Sequence, residues 1–166
     1  MFYRFKTGEE ALAHPLALGM FQVLKDADAL DFECIIPIPL SPDKIANREL
    51  HRTKALAEEL SRLMDAPVVD ALTLSEPISK RRGNWTSEHH FEMKYFQVLK
   101  VSDRVRNYAK FLLVDDACTR GSTLKCARRG IRAVHPNPAV LVFGAATAGQ
   151  MIVKEVIANE TEVRAS

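Results

Sequence analysis

The sequence predicts an α/β domain with a central, mainly parallel sheet flanked by helices, and three observations carry that prediction. Short apolar runs recur at 33–40, 110–116 and 139–146, the first of them rich in β-branched residues. Amphipathic segments with helical spacing lie between them, the strongest at 47–64. The strand-like runs end in prolines, acids or turn formers and are separated by helix-length connections, the pattern of parallel strands buried on both faces.

The elements follow in chain order. Thr7-Gly8-Glu9-Glu10 has the form of a capping box, with Thr7 as N-cap and Glu10 reaching back. Pro15 interrupts, and residues 15–28 predict a main helix with Leu16, Met20, Val23 and Leu24 on one face. "ECIIPIPL" (33–40) predicts a buried parallel strand that opens through its prolines into a loop. The 47–64 segment predicts one helix, with Leu56, Leu60, Leu63 and Met64 inward and Arg52, Lys54, Glu58, Glu59 and Arg62 on the other face. A second strand is expected at 66–72. Residues 73–92 show no period and read as a long loop, of a length that is usually functional or disordered. The alternation at 94–101 predicts a strand packed near that loop. A third buried strand at 110–116 leads into a helix through "STLKCARRGIRAV", Asn137-Pro138 makes a turn, and 139–146 is a fourth strand. The tail from Gln150 is expected to be helical.

Bulk properties exclude several classes. The 166 residues suffice for one domain with a real core, and a 47% hydrophobic content is an ordinary globular value. A net charge of +2 points to neither a nucleic-acid nor a membrane-surface partner. No apolar run reaches the ~18 residues of a membrane span, and the N-terminus lacks the basic flank and apolar stretch of a secretory signal. Three cysteines, Cys34, Cys118 and Cys126, without CxxC spacing argue against a disulfide scaffold or structural zinc. The expected compartment is the cytoplasm.

The chemistry concentrates in "FLLVDDACTRGSTL" (111–124). In open parallel sheets ligands collect at the C-terminal ends of strands, where Asp115 and Asp116 fall. Directly after them, the N–H groups of residues 119–123 begin a helix, and a helix N-terminus is a ready phosphate site. Thr119, Ser122 and Thr123 add hydroxyl donors, and Gly121 permits a close approach or a positive φ. Acids at one end and an anion cradle at the other suit a sugar with free hydroxyls and a phosphate, and a phosphorylated ribose is the expected ligand. The competing structural reading, in which the acids only cap the next helix, accounts for one Asp more readily than for two followed by the Thr/Gly segment. A receiver domain lacks that segment, and no P-loop is present.

The same stretch resembles the phosphoribosyl-diphosphate (PRPP) motif of the type I phosphoribosyltransferases (PRTases): four apolar residues, two acids, two variable residues, then T-T-G-x-T. Asp115 and Asp116 match the acidic pair, and Thr119, Arg120, Gly121, Ser122 and Thr123 match the phosphate loop, with Arg120 standing where Thr is common. Residues 36–60 are similar to the ComF branch, whose strand ends V-P-V-P-L and leads through R-G-F-N-Q into a helix. Arg48 matches that Arg, while Glu49, Leu50, His51 and Arg52 replace the remainder, and the zinc-binding N-terminal region of many ComF proteins has no counterpart. The resemblance covers about residues 33–146 of a single domain spanning 1–166, with 1–32 and 147–166 as flanking or hood elements.

The resemblance implies PRPP-dependent transfer of a phosphoribosyl group to a small nitrogen nucleophile such as a base, with release of pyrophosphate. Asp115 and Asp116 would contact the ribose hydroxyls as the catalytic pair. Pro39, Leu40, Ser41, Lys44 and Arg48 would form the pyrophosphate loop. Mg2+ would be held through the substrate near the two acids, without a direct protein ligand. Lys80, Arg81 and Arg82 are the basic cluster of a lid within the long 73–92 loop, or a solvated charge run. The other implied role is a catalytically silent module that binds PRPP or a nucleotide for regulation or assembly in a competence- or defence-related setting, with a protein partner. A homodimer is the commonest symmetric state.

Outside these motifs, His51 faces the pyrophosphate end within reach of a ligand, and Cys118 reads as a filler in the phosphate loop. Trp85 and Phe91 either stack on a base or anchor the loop to the core. His89 and His90 read as surface or lid residues, and Arg128, Arg129 and Arg132 as an exposed helix face or partner surface. No segment names the acceptor.

Overall fold

The computed structural model describes residues 2–79, 83–117, 121–135, 138–144 and 152–154. The chain begins with α1 (Phe2–Lys6), a 3-10 turn at Glu10–Leu12 and α2 (Ala13–Asp26). Pro15 lies in the first turn of α2, where its missing N–H has no helical partner to lose. The expected capping box does not form. Because the chain is already helical before it, Thr7 closes α1 instead, its hydroxyl donating to Arg4 O at 2.9 Å, while Glu9 pairs with Arg4 at 2.7 Å.

The apolar run at Cys34–Pro37 forms β1 with all four residues buried. The expected helix at 47–64 begins later, as α4 (Arg52–Met64), and a short helix that was not expected, α3 (Pro42–Ala46), precedes it. Between them the chain reverses at Arg48, whose backbone is left-handed with φ 55°. The strand expected at 66–72 is reduced to a single parallel bridge between Val68 and Ile35. Pro67, which has no N–H to give, uses its carbonyl to accept from Ile35.

The next stretch departs furthest from expectation. Residues 72–101 contain β2 (Leu72–Leu74), α5 (Glu88–Val98) and β3 (Leu99–Val101), so the expected loop is shorter at both ends and the expected strand at 94–101 is strand only over β3. Ser87 caps α5 by accepting the His90 N–H at 3.1 Å, and Phe91, Tyr95 and Val98 form its buried stripe. A 3-10 turn at Asp103–Asn107 then leads to β4 (Lys110–Asp115), α6 (Ser122–Val134) and β5 (Ala139–Gly144), all close to their expected places. The tail contains a strand, β6 (Ile152–Lys154), where a helix was expected; its register opposite β5 supplies the hydrogen bonds that a helix would have made internally.

The fold is mixed α/β. One sheet has the order β1-β4-β5-β6, with β1, β4 and β5 parallel and β6 antiparallel, and β2 and β3 make a separate antiparallel pair. Alternation along β1 and β4 splits the buried residues into two cores. Ile35, Leu112 and Val114 pack with Leu16, Met20 and Leu24 of α2 and Leu56 and Leu60 of α4. Cys34, Ile36, Phe111 and Leu113 pack on the opposite face with α5, α6, β2 and β3. No helix among the described residues is long and apolar enough to cross a membrane.

The second core is tight where α6 crosses β3. A Cβ on Gly130 would lie 2.9 Å from Leu99 Cδ2 and 3.0 Å from Val101 Cγ2. Gly130→Val is therefore expected to destabilise by about 1–3 kcal/mol through overpacking, read as a lower urea midpoint at an unchanged slope. A midpoint equal to that of the parent would mean that α6 and β3 are not in contact there.

Candidate functional site

Parallel pairing builds the site. Pro37 at the end of β1 is in register with Val114 of β4, and the Ile38 N–H continues the ladder to Val114 O at 2.9 Å. The loop after β1 and the acids after β4 therefore emerge side by side at the C-terminal edge of the sheet. There they border a pocket of about 160 Å³ lined by residues of both loops, of α4, and of an apolar wall.

Many of the sequence-predicted residues meet here. Pro39, Leu40, Ser41, Lys44, Asp115, Asp116 and Thr123 all line the pocket. Gly121 and Ser122 sit just behind Thr123 at the start of α6. Gly121 has φ 72°, a left-handed conformation that favours glycine and lets the chain turn from the acid loop into the helix. Ser122 is buried, and its hydroxyl donates to a carboxylate oxygen of Glu88 on α5. Arg48 does not join the pocket; it is exposed on the α3–α4 turn. Thr119, Arg120 and Cys118, together with Lys80, Arg81 and Arg82, lie outside the described residues.

The position expected of Arg48 is filled by Arg52. Its first-turn place on α4 aims it at the pocket, and its Nε donates to Asp116 Oδ2 at 2.6 Å, with both side chains 17% exposed. The neighbouring acid is in a different state. Asp115 Oδ1 accepts the Asp116 N–H at 2.8 Å. Burial first, then the charge of Asp116 and a hydrogen bond shared with it, push the Asp115 carboxyl well above the usual carboxylate range. The pair thus divides its labour: Asp116 is held by Arg52, while Asp115 tends to keep its proton.

A polar frame holds the β1 loop. Thr53 Oγ1 donates to Ile38 O at 2.6 Å, and buried Ser41 donates to Asp43 Oδ1 at 2.5 Å while accepting the Ile78 N–H at 3.2 Å. His51 does not reach into the pocket as a ligand contact would. Its ring nitrogens face the backbone N–H groups of Leu40 and Lys54, both at 3.3 Å, and a neutral imidazole accepts from only one at a time. Burial holds its pKa below the usual histidine value, which preserves that acceptor.

Of the opposite wall only Phe91 was singled out in the sequence. Leu74, Ile78, Phe91 and Tyr95 supply it, three of them from or next to segments read as loop. Trp85 anchors rather than lines this wall: its Nε1 donates to Ser79 O at 2.9 Å and its ring packs edge-on to Phe91 with centroids 5.3 Å apart. The missed signal was the 4–3 spacing of Phe91, Tyr95 and Val98 behind a Ser cap. On α6, Arg129 stacks over Phe96 of α5 at 4.4 Å, so this arginine serves the helix pair.

No protein-family model and no curated protein matches this sequence.

The electrostatics give a stability test. A carboxyl whose folded pKa is raised contributes stability that is full below its ordinary value of ~3.9 and is lost as pH rises through the folded value, here about 8. Asp115→Asn keeps the oxygen that accepts the Asp116 N–H and removes the ionisation. With solvent at the pocket mouth screening part of the effect, the variant should be more stable than the parent by about 1–3 kcal/mol near pH 8. The gap should close toward pH 4. A constant difference across that range would show that Asp115 ionises normally.

Proposed function

We propose that the protein binds PRPP and transfers its phosphoribosyl group to a small nitrogen nucleophile, as a type I PRTase-like enzyme. The observation that carries the reading is the convergence, at the C-terminal edge of parallel strands β1 and β4, of Asp115 and Asp116 with the β1 loop, Lys44 and Thr123. Loop and acids are far apart in sequence, and each had been matched separately to one end of the same ligand.

In this reading the ribose hydroxyls donate to the acids, of which Asp116 already pairs with Arg52. The 5'-phosphate lies at the start of α6 beside Thr123, where free N–H groups and the helix dipole favour an anion. The pyrophosphate lies along Pro39, Leu40 and Ser41, with Lys44 and Arg52 as cations. As the nucleophile's lone pair forms the bond to C1, the electron pair of the C1–O bond leaves with pyrophosphate, and those cations stabilise the charge it gains. A flat acceptor packs against Leu74, Ile78 and Phe91. Two carboxylates, one already engaged by Arg52, make a poor cage for a cation by themselves, so Mg2+ would be held mainly by ligand oxygens beside them. Bound there, it would neutralise the leaving pyrophosphate.

A second reading is favoured by one feature. Two of the groups that a ligand would use already have partners within the protein: Asp116 has Arg52, and Ser122 has Glu88. A silent PRPP- or nucleotide-binding module with a protein partner is compatible with a pocket closed in this way.

Thermal melting with PRPP and Mg2+ tests the shared part. Ligand at ~100 times its dissociation constant adds about 2.7 kcal/mol, expected as a rise of about 5–10 °C for a chain of this size. Asp115→Asn combined with Asp116→Asn should abolish the rise while the protein still folds. An undiminished shift in the folded double variant would count decisively against the site. Pyrophosphate release in a screen of bases then separates transferase from silent module.

Glu88 offers a further check, since its carboxylate sits at the phosphate end. Glu88→Gln removes a negative charge there and should tighten PRPP binding by about three- to tenfold at low salt, the range of one partly screened charge. Weaker binding in the variant would show that Glu88 supports the ligand instead of competing with it.

A further inference from the structure

We propose that Tyr95 is a ligand-reading residue, its phenol and the carboxyl of Asp115 bracketing one hydroxyl of a bound sugar. Tyr95 is 4% exposed, and its hydroxyl oxygen is fully buried without a hydrogen-bond partner among the described residues. A buried hydroxyl left unpaired is unfavourable and uncommon. The residue lines the same pocket as Asp115 and Asp116, on the wall otherwise made of Leu74, Ile78 and Phe91. In that apolar wall it carries the one hydroxyl, close enough to Asp115 to feel its charge.

The two groups are neighbours without being bonded. Burial, and after it the charge of Asp115, hold the phenol proton above the usual tyrosine range, yet no hydrogen bond joins the side chains. Tyr95 is thus a neutral O–H donor, and the carboxyl of Asp115, even while it keeps its proton, offers its carbonyl oxygen as an acceptor. What suits a place between a donor and an acceptor is a group that is both, and an alcohol is such a group. The volume agrees: about 160 Å³ is close to the ~150 Å³ that takes a single benzene-sized ring, room for one sugar ring.

This inference rests on the phosphoribosyl reading of the pocket and adds to it a residue on α5, outside both matched motifs. The test uses Tyr95→Phe, which removes one oxygen, with ribose 5-phosphate and its 2-deoxy and 3-deoxy analogues as calorimetric probes. The parent protein should prefer ribose 5-phosphate over at least one deoxy analogue. Tyr95→Phe should bind ribose 5-phosphate about tenfold more weakly, as expected for one lost hydrogen bond, and lose the preference for that hydroxyl. Its melting midpoint should hold or rise, because the removed oxygen had no partner. Three outcomes overturn the inference: unchanged affinity in the variant, no discrimination among the sugars by the parent, or a fall of several degrees in the variant's midpoint. Failure of the parent to bind any of the three sugars would overturn the phosphoribosyl reading itself, and this inference with it.

Discussion

The parallel pairing of β1 with β4 is the constraint on which the rest of the structure depends. Cys34–Pro37 and Phe111–Val114 are bonded residue for residue, and all eight are buried. Because neighbouring side chains point to opposite faces, this one register assigns Ile35, Leu112 and Val114 to the core under α2 and α4, and Cys34, Ile36, Phe111 and Leu113 to the core under α5 and α6. A slip of one residue would exchange the two sets. The same register ends both strands at one level, so the β1 loop and the Asp115-Asp116 pair share an edge. Fold and pocket are consequences of a single alignment.

Charge in the pocket is arranged around that edge. Two adjacent carboxylates cannot both ionise cheaply in a partly dry site, and the structure resolves the conflict unequally. Arg52 takes Asp116, while Asp115 holds its proton and shares a hydrogen bond with its neighbour. His51, kept neutral by burial, braces the backbone of the loop opposite. The pocket at rest therefore carries little negative charge, and half-buried Lys44 adds a cation to its lining.

What the sequence made legible follows from how local the determining forces are. The strands at 34–37, 110–115 and 139–144 are short, largely apolar runs that can be recognised without knowing their partners, and the acid pair with its following Gly121 and Thr123 is a contiguous motif. The helix α5 was harder because its apolar stripe is only Phe91, Tyr95 and Val98, set among histidines, charges and aromatic residues that suit a strand equally well. Losing α5 from the reading also lost the pocket wall, Tyr95 included. Arg52 was assigned to a solvent face because the 47–64 segment was taken as one continuous helix; the left-handed turn at Arg48 restarts α4 at Arg52 and points its first residue at the acids. That turn depends on tertiary contacts, such as the His51 brace on Leu40, which no local pattern encodes.

These features together frame how a ligand must enter. Asp116 and Ser122 are engaged by Arg52 and Glu88, so on the proposed reading an incoming phosphate or sugar exchanges one set of polar contacts for another and gains only the difference. Tyr95 is the exception, a buried polar group with nothing to give up. A hydrogen bond made there is a net gain, whereas one made to Asp116 is a trade. Affinity should therefore be governed less by the conspicuous charged groups of the motif than by the quiet wall of α5, and selectivity among ligands that satisfy the motif equally should be decided at that wall.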